Sequence, residues 1–148
     1  MTAVETTAAE PTTGAPLVSL RNVTKRYTDS SGVTTEVLAG VDLDVAEGKF
    51  VAVLGFSGSG KTTLISSIAG LIDLDDGEIT VDGAPISGPD TDRGVVFQSY
   101  SLPPWLTVEE NVALAVNAIH TAMTKAERRH LIDETIELVG LSHARDRR

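Results

Sequence analysis

One stretch restricts the fold of this chain more than any other. Residues 55–62 read GFSGSGKT, and they follow the uninterrupted apolar run FVAVL at 50–54. An apolar run without alternation favours a strand buried on both faces. Residues 62–69 then carry apolar side chains at helical spacing before Gly70, which is suited to end a helix. The string matches G-x-x-x-x-G-K-[ST] at each fixed position and therefore predicts a phosphate-binding loop between a strand and a helix.

The residue types of this loop suit a phosphate. Glycines let successive backbone N–H groups turn inward without Cβ collisions, and the following helix adds the positive end of its dipole. We expect Lys61 to place its ammonium on the β- and γ-phosphates, and the Thr62 hydroxyl to coordinate Mg²⁺. The alternative is a glycine turn with a helix-capping lysine. The predicted phosphate-binding residues are Gly55, Ser57, Gly58, Ser59, Gly60, Lys61, Thr62 and Thr63.

The chain before the loop indicates short strands. Residues 1–16 are rich in Thr, Ala, Glu and Pro, so we expect a mobile leader there, with an ordered arm as the alternative. From Leu17 the sequence LVSLRNV indicates a strand, and a turn is expected near 29–32. VDLDV at 41–45 alternates as a strand with one solvated face does.

The region after the loop also contains strand patterns. EITVD at 78–82 alternates, and it is flanked by Asp-Gly dipeptides at 76–77 and 82–83. Both dipeptides are typical of turns. GVVFQ at 94–98 predicts a further short apolar strand.

The last third of the chain has a helical character. Thr107 with Glu110 and Thr124 with Glu127 form two capping boxes, each opening a segment with apolar residues at helical spacing. Gly140 is placed to end the second helix.

Charge and composition exclude several classes of protein. The chain carries 12 Lys and Arg against 21 Asp and Glu, a formal net charge of -9, which opposes binding to nucleic acid or to an anionic lipid surface. Without cysteine it has no disulfide, no thiolate metal site and no cysteine nucleophile. The acidic start predicts no export signal, and no apolar stretch approaches the roughly 20 residues that a membrane span needs.

The order of these motifs resembles that of the nucleotide-binding subunits of ABC transporters. The resemblance rests on Tyr27, the loop at 55–63, IAGL at 68–71, GEITVDG at 77–83, DRGVVFQ at 92–98 and WLTVEENVALAV at 105–116. The tract at 92–112 is most similar to the nitrate, sulfonate and taurine importer branch, the nitrate type especially. The resemblance covers about residues 17–148 and implies an α/β, P-loop NTPase fold. Such an ABC-type nucleotide-binding domain has an antiparallel β subdomain and, here, the start of a helical subdomain.

The resemblance assigns further roles to single residues. Tyr27 would stack on adenine, since an aromatic face recognises a flat base, and Gln98 would reach Mg²⁺ or the attacking water. Leu102 and Trp105 would lie near the groove that receives a coupling helix of a transmembrane partner. The alternatives are strand-edge packing for Tyr27, a surface position for Gln98, and packing within the subdomain for Trp105.

The sequence also departs from the family pattern. Phe56 and Pro103 stand where other residues are usual, but neither removes an N–H donor from the phosphate cradle. An LSGGQ-like signature, a Walker B strand and a later switch histidine are not found. LIDE at 131–134 imitates the end of a Walker B but follows a capping box, so we expect a helix there and no magnesium role. His120 and His143 are interpreted as surface residues.

These departures lead us to expect a domain truncated before the signature. With the cradle alone it should bind nucleotide weakly and turn it over negligibly, because the groups that orient water and hold the metal supply much of the transition-state stabilisation. We also expect a marginal, aggregation-prone domain, because the strand at 50–54 needs parallel neighbours on both edges.

The predicted organisation is a leader at 1–16 and a partial ABC ATPase domain at 17–148. Within it, 17–98 forms the nucleotide-binding core with its antiparallel β part, and 99–148 begins the helical subdomain. The resemblance implies ATP and Mg²⁺ as cofactors. It implies three partners: a transmembrane permease subunit, a second ATPase subunit and, indirectly, a periplasmic or extracellular solute-binding protein. The implied location is cytoplasmic, peripheral on the inner face of the cell membrane.

The implied function is an ATP-binding subunit, ATP-hydrolysing in complete form, that powers import of a small oxyanion such as nitrate or a sulfonate. One alternative is a natural short nucleotide-binding regulatory module, or a decayed remnant, without hydrolysis. Another is a phosphate-loop small-molecule kinase, which the antiparallel strands before the loop fit poorly.

Overall fold

The computed structural model describes residues 15–99 and 101–148. The predicted leader at 1–16 therefore lies outside the described residues except for its last two positions. Two compact units follow, divided between Val95 and Val96. The sequence prediction places the change of subdomain slightly later, after Gln98. No helix in the described part of the chain is long and apolar enough to cross a bilayer.

The first unit contains a four-stranded antiparallel sheet in the order β2-β1-β3-β4. Its strands are β1 (Val18–Thr28), β2 (Thr34–Val45), β3 (Asp76–Val81) and β4 (Ala84–Pro85). The alternation predicted at 41–45 is confirmed, because half-buried apolar residues alternate there with exposed aspartates. The sheet corresponds to the antiparallel β part that the sequence predicts.

Tight turns join the strands where the sequence places them. Between β1 and β2, Asp29 Oδ1 accepts the backbone N–H groups of Ser31 and Val33 at 2.9 and 3.0 Å. The hydrogen bond from the Ser31 hydroxyl, followed by these backbone bonds, lowers the pKa of Asp29, because each of them favours the carboxylate. Between β3 and β4, Asp82 and Gly83 have φ angles of 49° and 74°, as a two-residue hairpin turn with both centres left-handed requires.

The other Asp-Gly dipeptide is not a turn, and that prediction is wrong. Gly77 lies inside β3, where the register against β1 shifts, and its φ is 83°. A Cβ on Gly77 would collide with the carbonyl oxygens of Arg21 and Asn22 on β1. The glycine therefore permits a bulge between paired strands, a role that a dipeptide pattern does not distinguish from a turn.

One face of the sheet packs against the helix that follows the loop, α1 (Lys61–Ile68). The buried side chains of this core are Leu20, Val23, Leu38, Leu64 and Ile79. The predicted helix end is confirmed: Ala69 caps α1 and Gly70 follows with φ 73°. A side chain on Gly70 would collide with the backbone of Gly88 and Pro89, so the residue after the helix lies directly against that backbone.

Two predicted strands are absent from the described residues. Neither 50–54 nor 94–98 belongs to the sheet. Phe50 and Leu54 are 93% and 85% exposed and Val96 is 100% exposed, so the expectation of burial on both faces is wrong. A strand exists through hydrogen bonds to a neighbour, and no partner strand for these runs lies in the described part of the chain. Of the first run, only Val53 packs against the core.

The second unit contains α2 (Val108–Ile119), α3 (Lys125–Leu138) and a short 3-10 helix at Ser142–Ala144. Both predicted capping boxes are confirmed. In each, the threonine hydroxyl accepts the backbone N–H of the glutamate three residues later, whose carboxylate accepts the threonine N–H in return. Val116 on α2 packs against Ile132 and Ile136 on α3.

An ion-pair network ties the end of the chain to both helices of this unit. Arg145 pairs with Glu109 on α2 and Asp133 on α3, and Arg129 lies 3.0 Å from the Glu109 carboxylate. These cations lower the pKa values of Glu109 and Asp133, chiefly through the hydrogen bonds from Arg145. Asp133 and Glu134, the acidic pair of the LIDE stretch, lie on α3, so the expected helix at 131–134 is confirmed. Asp133 is paired with Arg145. Among the described residues no cluster of three metal-ligating side chains occurs.

Candidate functional site

The Gly-rich loop at 55–60 leads directly into α1. Gly58 and Gly60 have φ angles of 80° and 90°, which residues with a Cβ rarely adopt. At Gly58 a side chain would meet nothing within 4 Å. At Gly60 a Cβ would lie 2.8 Å from the carbonyl oxygen of Val37 and 3.1 Å from its Cγ1. Gly60 is therefore required both by its backbone conformation and by the close approach of β2.

Val37 reaches the loop because of an irregularity in the sheet. Lys25 pairs with Leu38 and Arg26 pairs with Glu36, so one step along β1 corresponds to two along β2. Val37 is the additional residue, and such a bulge re-aims the strand locally. The start of α1 is thereby seated against β2, which fixes the position of the loop relative to the sheet.

The Lys61 ammonium lies over the loop. It donates to the carbonyl oxygens of Gly55 and Phe56 at 2.9 and 2.7 Å, and it lies 3.4 Å from Ser59 Oγ. These three acceptors are all uncharged. A phosphate oxygen makes a shorter, stronger, charge-assisted bond to an ammonium, so this lysine can exchange loop carbonyls for a bound phosphate.

The N-terminus of α1 has backbone donors to offer. The N-cap is Gly60, which provides no side-chain cap, and no acidic residue lies in the first turn. The first hydrogen bond of the helix runs from Leu64 N–H to Gly60 O, at 2.8 Å. The preceding N–H groups have no intrahelical acceptor and carry the positive end of the dipole. Thr62 is exposed at this end, and Thr63 is half-buried.

Tyr27 lies in the same unit, near the end of β1. It pairs with Thr35, two residues before the bulged Val37 that contacts the loop. The tyrosine is 43% exposed, and the Lys25 ammonium lies 5.7 Å from the centroid of its ring. The ring is therefore a partly open aromatic surface on the strand pair that seats the phosphate loop.

The remaining predicted residues belong to the second unit. Gln98 is exposed on the non-helical segment that begins this unit. Leu102 and Trp105 are also exposed. Leu102 lines an apolar cavity of about 480 Å³ between the 102–106 segment, α2 and the end of α3, together with Val112.

Sequence reasoning missed two features of the site. The contact of Gly60 with Val37 depends on a one-residue bulge in β2, and no motif marks that bulge. The contact of Lys25 with Tyr27 has a weak signal, the i, i+2 spacing that places two side chains on one face of a strand. Neither Val37 nor Lys25 was among the predicted site residues.

The Gly-rich loop, the start of α1 and the adjoining antiparallel sheet are features of the P-loop NTPase fold. The ABC transporter family model matches residues 38–148. This match spans most of the chain, and the chain belongs to the ABC transporter family.

Curated relatives and solved structures agree with this assignment. The chain is 45% identical over 130 residues to the bicarbonate transport ATP-binding protein CmpC of Synechococcus elongatus, covering 88% of this chain and 20% of the relative. It is 46% identical over 110 residues to the nitrate import ATP-binding protein NrtC of the same species, covering 74% of this chain and 17% of the relative. CmpD of Synechocystis is 43% identical, with 88% and 46% covered.

Among solved structures, a dimeric post-hydrolysis state of the ATP-binding cassette MJ0796 bound to ADP and Pi is similar. It superposes with a TM-score of 0.73 and 34% sequence identity, covering 87% of this chain and 60% of that one. Of the curated relatives, the chain spans about a fifth of the length of CmpC and NrtC and less than half of the length of CmpD.

Proposed function

We propose that this chain binds MgATP at the 55–63 loop, as the nucleotide-binding part of an ATP-hydrolysing subunit that powers uptake of a small oxyanion. One observation carries the proposal. The loop backbone, the unopposed N-terminus of α1 and the Lys61 ammonium converge on one place. That combination suits the β- and γ-phosphates of a nucleotide, since each group offers N–H donors or positive charge.

The proposed roles of the other residues follow from their chemistry. Thr62 has an exposed hydroxyl at the second position of α1, and a hydroxyl oxygen is a suitable ligand for Mg²⁺, which prefers few protein ligands plus phosphate oxygens. The amide oxygen of Gln98 is of the same ligand type, and its assignment to the ion stays a prediction. Tyr27 would provide the stacking surface for adenine.

The transported substrate is proposed from the relatives. The similar proteins are named for bicarbonate and for nitrate. Both anions are planar, carry one negative charge and present three oxygens around a central atom. A sulfonate, the other substrate that the sequence suggested, has a tetrahedral sulfur, so the relatives support a planar oxyanion more directly.

The proposed partners are a transmembrane permease and a second ATPase subunit. Exposed apolar side chains on one segment favour contact with another protein, and Leu102 and Trp105 supply them in the second unit. In this proposal the chain works at the inner face of the membrane through its permease, with the solute-binding protein contacting the permease only.

The proposal is tested by calorimetric titration of the full chain with MgATP. We expect saturable, weak binding that Lys61→Ala abolishes. Lys49→Ala is the matched control, because Lys49 is an exposed lysine of the same unit and its ammonium forms no ion pair or hydrogen bond with the described residues. Unchanged binding in Lys61→Ala, or equal loss in both variants, would refute the assigned site.

A further inference from the structure

Lys25 is unusually enclosed for a lysine on a short sheet. Its side chain is only 14% exposed, and its ammonium lies 5.7 Å from the centroid of the Tyr27 ring. The two residues alternate on β1 with Arg26 between them, so both side chains lie on one face of the strand. A cation within about 6 Å of an aromatic centroid is attracted to the ring face.

Asp75 forms an ion pair with this ammonium. The Asp75 carboxylate lies 3.6 Å from Lys25 Nζ and accepts the backbone N–H of Arg26 at 2.5 Å. The Asp75 N–H donates in turn to the Thr24 carbonyl at 3.0 Å. Asp75 is thus hydrogen-bonded to the two residues of β1 that flank Lys25, namely Thr24 and Arg26.

The charge state of Asp75 supports this arrangement. The hydrogen bond from the Arg26 backbone, followed by the charge of Lys25, lowers the pKa of the carboxyl. The carboxylate is therefore ionised at neutral pH and holds the lysine electrostatically.

We infer that Lys25, held by Asp75, is a positioning residue for the base of the bound nucleotide, an inference that rests on the proposed function. The ammonium lies over one face of the Tyr27 ring, and because the tyrosine is 43% exposed we expect the other face to be available to a flat base. It also draws ring electron density towards itself, which reduces repulsion between the π-electrons of the ring and those of a base stacked on the far face. Lys25 thereby strengthens recognition of the base without touching the phosphates.

The test separates the base from the phosphates. Dissociation constants for MgATP and for magnesium tripolyphosphate are measured on the full chain, and their ratio reports what the nucleoside adds. Lys25→Met keeps the length of the side chain and removes its charge. We expect this ratio to fall, with the energy of an exposed cation–π contact setting an upper limit of about two- to fivefold on the change.

Three further variants make the test specific. Lys25→Arg keeps a cation over the ring and should restore the ratio. Asp75→Asn should lower it in the same direction, and it provides a second test should Lys25→Met fail to fold. In a Tyr27→Leu background, Lys25→Met should change the ratio no further, because the ring through which it acts is gone. Lys49→Met, which removes an exposed lysine charge elsewhere in the unit, should leave the ratio unchanged.

Each contrary result has a definite meaning. An unchanged ratio in Lys25→Met with normal ATP binding overturns the inference while leaving the nucleotide site in place. Equal weakening of ATP and tripolyphosphate shows that Lys25 acts only as a general positive charge, which also overturns it. Failure of the unmodified chain to bind either ligand overturns the proposed function, and the inference with it.

Discussion

Replacing Gly60 with alanine tests the seating of the phosphate loop against the sheet. The φ of Gly60 is 90°, and left-handed backbone costs an L-residue about 1–2 kcal/mol. An added Cβ would also lie 2.8 Å from the Val37 carbonyl oxygen, 3.1 Å from Val37 Cγ1 and 3.2 Å from Leu38 Cδ2. The nearest of these atoms is backbone, so β2 or the loop must shift, and such overpacking costs about 1–3 kcal/mol.

We therefore expect Gly60→Ala to lower the free energy of unfolding of the first unit by about 2–5 kcal/mol. The assay is urea denaturation followed by circular dichroism. Gly48→Ala is the matched control, because Gly48 has a φ of 71° and a Cβ added there would meet nothing within 4 Å. The control isolates the backbone strain, so the difference between the variants is the steric contribution. Equal losses in the two variants would refute the argued contact between Gly60 and Val37.

Three further predictions concern the rest of the chain. Thr107→Ala removes the hydroxyl half of a capping box and should destabilise the second unit by about 1 kcal/mol in chemical denaturation; no change would contradict the cap. Glu109 has a lowered pKa in the folded state, so its stabilising effect is present above its ordinary pKa of 4.5 and is lost as pH falls through the folded value. Arg145→Met should therefore make the free energy of unfolding less dependent on pH in the acidic range. An unchanged pH profile of stability would contradict the network. Exposed Phe50 and Leu54 should cause self-association, which Phe50→Ser with Leu54→Ser reduces in sedimentation velocity; a monomeric unmodified chain would contradict this.

Local signals in the sequence predicted local structure well. The two capping boxes, the glycines after α1 and α3 and the turn at 82–83 each depend on residues within four positions of one another. Their geometry is set by hydrogen bonds that close over one turn of chain, so a pattern of neighbouring residues is sufficient to predict them.

Pairing between distant segments was predicted less well. The run at 50–54 has the composition of a buried parallel strand, but burial depends on neighbours contributed from elsewhere, and Phe50 is 93% exposed. The role of Gly77 also depends on pairing between distant segments. Its dipeptide matches a turn, and only the register of β3 against β1 reveals a bulge.

The candidate site likewise has a part that local sequence predicts and a part that depends on strand pairing. The phosphate loop was predictable because its chemistry requires fixed residue types at fixed spacing. The seating of Gly60 on Val37 and the cation under Tyr27 were not, because both depend on which residues face each other across β1 and β2. A bulge of one residue changes that pairing without leaving a pattern in the sequence.

The proposed function depends above all on phosphate binding by the backbone of the loop and of the first turn of α1. Amide hydrogen exchange, followed by NMR on the full chain with and without MgATP, reads out those N–H groups one by one. We predict that exchange slows at the amides of residues 57–63, and that Lys61→Ala removes the change while Lys49→Ala retains it. Protection confined to other residues, or none at saturating MgATP, would show that the phosphates are not bound there.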